Sequence, residues 1–228
     1  MHHAPPALVS LRMLRSILIL LCLSLPVAAW PFSLQKKLGP DYHLQTGDIV
    51  FQATGGQQCE AIRAATHSPF SHCGVVFESD GRLYVLEAIN PVVSTPLAKF
   101  RKRSLPGTFH ARRLKGIDKH LTPLVMANAI AWSESNLGKS YDALFLWNDN
   151  ELYCSELVWK IFHESAGLEL VQPRRFDSFD LSSEIVQGLI VERFGSRDKF
   201  PGAEPVVAPS DLAKSPLLVE VPRRHGKK

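Results

Sequence analysis

The chain alternates between two kinds of hydrophobic pattern. From residue 47 to about 114, apolar positions recur with the two-residue period of half-buried strands, in GDIVFQAT, HCGVVFE, LYVLEAI and TFHARRL. HCGVVFE and LYVLEAI flank an Asp80-Gly81 pair and so read as a hairpin. VVSTPLAKF is expected to continue extended, and CEAIRAAT has helical composition. Further on the period lengthens. Residues 122–137 form a predicted helix, with Thr122 as N-cap, Pro123 in the first turn and Gly138 at the end. Residues 152–165 form another, carrying Leu157, Val158, Ile161 and Phe162 at core spacing and stopped by Gly167. The remainder of the chain reads as loop with short elements. Strands gathered in one stretch and helices elsewhere indicate an α+β fold.

The start of the chain has a different character. Arg12 and Arg15 precede an apolar run over 17–25, and Val27 and Ala29 occupy the −3 and −1 positions of a cut before Trp30. Residues 1–29 are therefore expected to be a secretory signal, with an uncleaved anchor as the alternative; the run is too short for a comfortable membrane span. Cys22 lacks the small residues expected before a lipidated cysteine. The expected layout is a signal at 1–29, a lead-in at 30–43, one domain at 44–222 and a basic tail at 223–228. Export to the periplasm or cell envelope is then expected, with membrane contact only through the signal segment.

Composition adds bounds. The 228 residues are 45% hydrophobic and 21% charged, which suits a packed globular domain. The net charge of +4 is partly confined to the two ends, so nucleic acid is not an expected partner. Without Cys22, three cysteines remain, at 59, 73 and 154. In an oxidising compartment an odd cysteine pairs between chains or stays free for chemistry.

Three strings carry that chemistry: SHCGVV at 71–76, YVLEA at 84–88 and LYCSELV at 152–158. Cys154 stands at a predicted helix start, where the dipole and unpaired N–H groups favour a thiolate. His72 opens a strand and can take or hold its proton. Glu87 lies on the partner strand, where a hairpin could set it across from His72 on one face and fix the imidazole. Tyr153 and the backbone near Cys154 are candidates for an oxyanion site. Cys59, which also follows a turn, is a rival nucleophile. A Cys59–Cys73 disulfide is possible and would leave Cys154 free. Cys59, His67, His72 and Cys73 form a weaker zinc reading, because adjacent strand residues face apart. His43, His110, His120, His163 and His225 have no evident partners.

The ordered set GDIVFQ, SPFSHCGVV, VLEA and GKSYDALF…LYCSELV, with VAPSDLAKSP late in the chain, resembles the circularly permuted NlpC-type papain-like hydrolases, YiiX-like branch. The likeness spans about 44–220. It implies an antiparallel sheet or barrel packed on a cysteine-bearing helix, with the histidine strand first. It implies a nucleophile at Cys154, a base at His72, an orienting group at Glu87 and a cleft-lining segment at Asp142. It implies no metal or organic cofactor. The expected activity is hydrolysis of an amide, such as a cell-wall peptide bond, through an acyl-enzyme. Lipid acyl transfer or ester hydrolysis by the same dyad, and a non-catalytic binding module, are the alternatives. Cys73 departs from the pattern, where an aliphatic or small residue is usual. By strand alternation it should face away from His72 and leave the site undisturbed.

Overall fold

The computed structural model describes residues 41–224; the signal segment, most of the lead-in and His225 lie outside them. The described chain runs β1 (Ile49–Gln52), α1 (Gln57–Thr66), β2 (His72–Ser79), β3 (Arg82–Ala88), β4 (Val92–Pro96), α2 (Leu97–Lys102), β5 (His110–Leu114), α3 (Ile117–His120) and α4 (Pro123–Asn136). It continues with α5 (Cys154–Ala166), β6 (Arg174–Arg175), α6 (Glu184–Phe194), β7 (Pro205–Val206), α7 (Pro209–Ala213) and β8 (Leu218–Glu220). Six strands form one antiparallel sheet in the order β4-β3-β2-β1-β5-β8, and β6 and β7 form a small ribbon.

Local chemistry explains the main boundaries. Asp80 and Gly81 both take positive φ, at 50° and 68°, as a two-residue hairpin loop requires. Thr122 caps α4 by accepting from the Val125 N–H, and Pro123 opens it. Gly167, left-handed at φ 64°, ends α5. Pro96 does not lead into more strand as expected: it precedes α2, which turns the chain over the sheet and brings Phe100 and Arg103 toward His72. The stretch expected to be loop contains α6, whose sequence EIVQGLIVERF is interrupted by Gly188 and has too little sidedness to announce itself.

Both faces of the central strands are covered. On one face, Leu157, Val158, Ile161 and Phe162 of α5 pack with Ile49, Phe51, Cys73, Val75 and Leu86. On the other, Val50, Val76 and Val85 pack with Phe100 and Phe109. Each fully buried side chain of this size contributes roughly 1.5–3 kcal/mol. The core also extends past the expected edges of the domain: Tyr42 is buried and bridges to Arg223. His110 is not a free surface histidine, because its Nδ1 lies 3.1 Å from the Tyr42 hydroxyl.

The β2–β3 register, with Val75 opposite Leu86, places Glu87 opposite Gly74 when continued by one pair. His72 and Glu87 therefore share a face as diagonal neighbours rather than directly across. Gly74 is what allows the close approach. A Cβ there would lie 2.5 Å from Val85 Cγ1, 2.6 Å from the Leu86 carbonyl and 3.3 Å from Glu87 Cβ. Gly74→Ala should force the strands apart and lower stability by about 1–3 kcal/mol, read from denaturant midpoints. An unchanged midpoint would show that the hairpin yields freely.

Candidate active site

Cys154 is the first residue of α5, His72 the first of β2, and Glu87 lies near the end of β3. All three are buried. His72 Nε2 lies 2.6 Å from Glu87 Oε2, which leaves Nδ1 as the ring nitrogen free for the hydrogen bond with Cys154. Phe100 stacks on the imidazole at 5.6 Å and fixes its plane. Arg103 Nη2 donates to both Glu87 oxygens, at 2.5 and 2.7 Å. The result is a row of groups of alternating charge: Cys154, His72, Glu87 and Arg103. Arg103 has no motif to flag it; only the turn made by α2 reveals it.

The electrostatics follow from this order. The Cys73 thiol hydrogen bond lowers the Cys154 pKa most; burial opposes, and hydrogen bonding and charge from His72 add to the lowering, leaving it well below the ordinary thiol value. Burial pushes His72 down, but its bonds to Cys154 and Glu87 outweigh this and raise it to about 9. Burial likewise pushes Glu87 up, and His72, Thr95 and Arg103 overcome it, holding the carboxyl below its usual range.

Cys73 is thus a correction. Alternation does turn it away from the His72 face, but the face it turns to is the one α5 covers. Its thiol bonds to Cys154, and burial followed by that bond raises its own pKa well above normal. Cys59, Cys73 and Cys154 are all free thiols, with no Cys59–Cys73 bridge. Among the described residues no histidine hydrogen-bonds Cys59; its sulfur lies 2.9 Å from Thr54 Oγ1.

Two further expectations change. Tyr153 buries its ring beside Phe145, and its hydroxyl accepts from the Val207 N–H at 3.2 Å, which ties the start of α5 to the chain after β7. Asp142 does not line the cleft. Its carboxylate accepts from the N–H groups of Leu144 and Leu146 at 2.8 and 2.6 Å, folding the loop before α5. The neighbouring Tyr141 is the better-placed phenol. Burial, then the charge on Cys154, raise its pKa well above normal, and its oxygen accepts from Gln58 Nε2 at 2.8 Å. Arg193 of α6 holds Gln58 in turn, at 2.5 Å.

Two concavities flank the site. An apolar trough of about 90 Å³ runs from Cys154 and Tyr153 between α1 and α6, past Phe176, Phe179 and Ile190. A polar cleft on the other side is lined by Gln58, Ser71, His72, Arg103 and Tyr141. The Ser71 hydroxyl there is buried and has no partner among the described residues.

The family profile described as permuted papain-like amidase enzyme, YaeF/YiiX, C92 family, matches residues 43–221. The chain belongs to this family. It is accordingly a cysteine hydrolase of the circularly permuted papain-like class, as the motif order implied. Escherichia coli K12 YiiX, itself uncharacterized, is 34% identical over 207 residues, covering 91% of this chain and 94% of its own. A crystal structure described as metalloprotein YiiX from Escherichia coli O157:H7 superposes with a TM-score of 0.73 at 36% identity, covering 79% of this chain and 97% of that one. That relative is described as a metalloprotein; among the described residues here, no group of three or more His, Cys, Asp or Glu side chains is placed to hold a metal ion. The residues of the zinc reading are dispersed, with His67 exposed and paired to Asp180 at 2.9 Å.

Alkylation by iodoacetamide should report the Cys154 thiolate directly. The rate should stay high well below the ordinary thiol pKa and fall only as acid protonates the sulfur. His72→Ala should shift that profile upward by about 1–3 pH units. An unshifted profile would mean that the imidazole does not stabilise the thiolate.

Proposed function

We propose that the protein is an exported amidase whose substrate carries an apolar acyl group, cleaved through a thioester on Cys154. The observation that supports this reading is that the two bonded groups open on different concavities, Cys154 on an apolar trough and His72 on a polar cleft. The acyl part lies in the trough and the polar leaving group in the cleft. The Cys154 thiolate attacks the carbonyl carbon. The developing oxyanion is met by the Tyr141 hydroxyl and the N–H groups at the start of α5. Imidazolium His72 gives its proton to the departing amine, then takes one from the water that hydrolyses the thioester. Glu87, clamped by Arg103, keeps the ring oriented and charged. The signal-like residues 1–29 support the exported part of the reading, and the amino terminus of the mature protein, sequenced directly, tests it. A start at residue 1 would count against cleavage.

Acyl transfer to an alcohol or amine is a second reading, favoured by the breadth of the polar cleft, about 1000 Å³ counting its open side. Addition of such acceptors during turnover separates the two by product.

Acyl amides and esters of increasing chain length test the substrate. Each added methylene buried in the trough is worth about 0.8 kcal/mol, so kcat/KM should rise about three- to fourfold per carbon until the trough is full. Indifference to chain length together with turnover of polar dipeptides would sink the apolar assignment. Cys154→Ala should abolish turnover, and His72→Ala should lower kcat by about 10²–10⁴-fold. The pH profile of kcat/KM should fall on the acid side as the thiolate is protonated, and on the alkaline side as His72 loses its proton around pH 9.

A further inference from the structure

Cys73 helps hold Cys154 as a thiolate but takes no bond-making step in hydrolysis. Its side chain lies on the face of β2 that α5 covers, in the same apolar cluster as Cys154 and in hydrogen-bond contact with it. The two thiols differ in access. Cys154 lines the trough, whereas Cys73 lines neither concavity and is fully buried. Cys59 lies in the polar cleft, engaged by Thr54. A small uncharged oxidant entering the trough therefore meets one sulfur, and the thiol already touching that sulfur is Cys73.

We propose that Cys73 and Cys154 form a reversible oxidative modification site, in which a peroxide converts the pair to a disulfide that switches hydrolysis off. In the first step the Cys154 thiolate attacks a peroxide oxygen; the O–O bond breaks, giving a sulfenic acid and hydroxide. In the second step Cys73 attacks that sulfur, the S–O bond breaks, and the hydroxyl leaves as water with the Cys73 proton. Two thiols lose two electrons and peroxide is reduced to water. The disulfide removes the thiolate while protecting it from the irreversible sulfinic and sulfonic acids. A dithiol reverses the reaction by exchange. Because Cys73 is sheltered, oxidation begins at Cys154, and Cys73 acts only as the resolving thiol.

The test uses the whole reduced protein, treated with hydrogen peroxide at equal concentration. The protein is then unfolded in denaturant at low pH, remaining thiols are trapped with N-ethylmaleimide, and the chain is mapped by mass spectrometry. The expected result is loss of two hydrogens, loss of two alkylatable thiols and a cross-linked peptide pair containing Cys73 and Cys154. Turnover should fall in proportion to the cross-linked fraction and return with dithiothreitol. Cys73→Val should instead gain oxygen atoms at Cys154, without recovery. Cys59→Ser should cross-link as the unaltered protein does, which keeps the test decisive if Cys73→Val does not fold. A Cys59–Cys154 cross-link, or oxygen addition at Cys154 with Cys73 still alkylatable, would overturn the proposal. The mass readout does not depend on the substrate assignment. A cross-link that leaves turnover intact would instead refute Cys154 as nucleophile.

Discussion

Charges removed from water must be matched by their neighbours, and this constraint organises the centre of the molecule. An isolated thiolate, imidazolium or carboxylate would be very costly in the interior. Here they are strung in alternation from Cys154 through His72 and Glu87 to Arg103, which is the member that reaches partly into solvent. Each group is held charged by the next. Removing a middle member would strand a buried charge on either side, so the row behaves as a unit rather than as a sum of pairs. The helix start, the tight hairpin at Gly74 and the turn of α2 are the means by which four distant parts of the chain are brought into line.

The same layout gives the two bonded groups different surroundings: Cys154 opens on an apolar trough walled by α1 and α6, and His72 on a cleft with Gln58, Ser71, Arg103 and Tyr141. The Arg193–Gln58–Tyr141 relay runs between them, linking α6 to the phenol beside the sulfur. A change in how α6 lies over the trough therefore bears directly on the oxyanion side of the site.

Much of this is legible in the sequence wherever the signal is local. Asp80-Gly81 announces the hairpin, Thr122-Pro123 the start of α4, and Gly167 the end of α5. Cys154, His72 and Glu87 each sit in a short string whose order along the chain matches one fold. The rest depends on tertiary placement. Alternation correctly sets Cys73 opposite to His72, yet it cannot say which face of a strand a distant helix will cover. Arg103 carries no motif, and its role exists only because α2 folds back. Tyr153 and Tyr141 are both near Cys154 in space, and only tertiary placement shows that Tyr153 lines the apolar trough and Tyr141 the polar cleft. Helix α6 escapes a pattern-based reading because its apolar residues lack a clear stripe: Val186 and Ile190 are buried while Val191 faces solvent.

The bridge between Tyr42 and Arg223 is not isolated: the Arg224 N–H donates to the Asp41 carbonyl, and the His43 N–H to Pro222. The first and last described residues are thus neighbours, and the described fold is topologically almost a ring. Joining Asp41 to Arg224 through a short linker and opening the exposed turn at Pro106-Gly107 would leave every strand pairing intact. The cysteine helix would then precede the histidine strand, the order of unpermuted papain-like enzymes. Genetic distance between the two arrangements is therefore a matter of where the ring is cut, and no step between them needs to rebuild the catalytic centre.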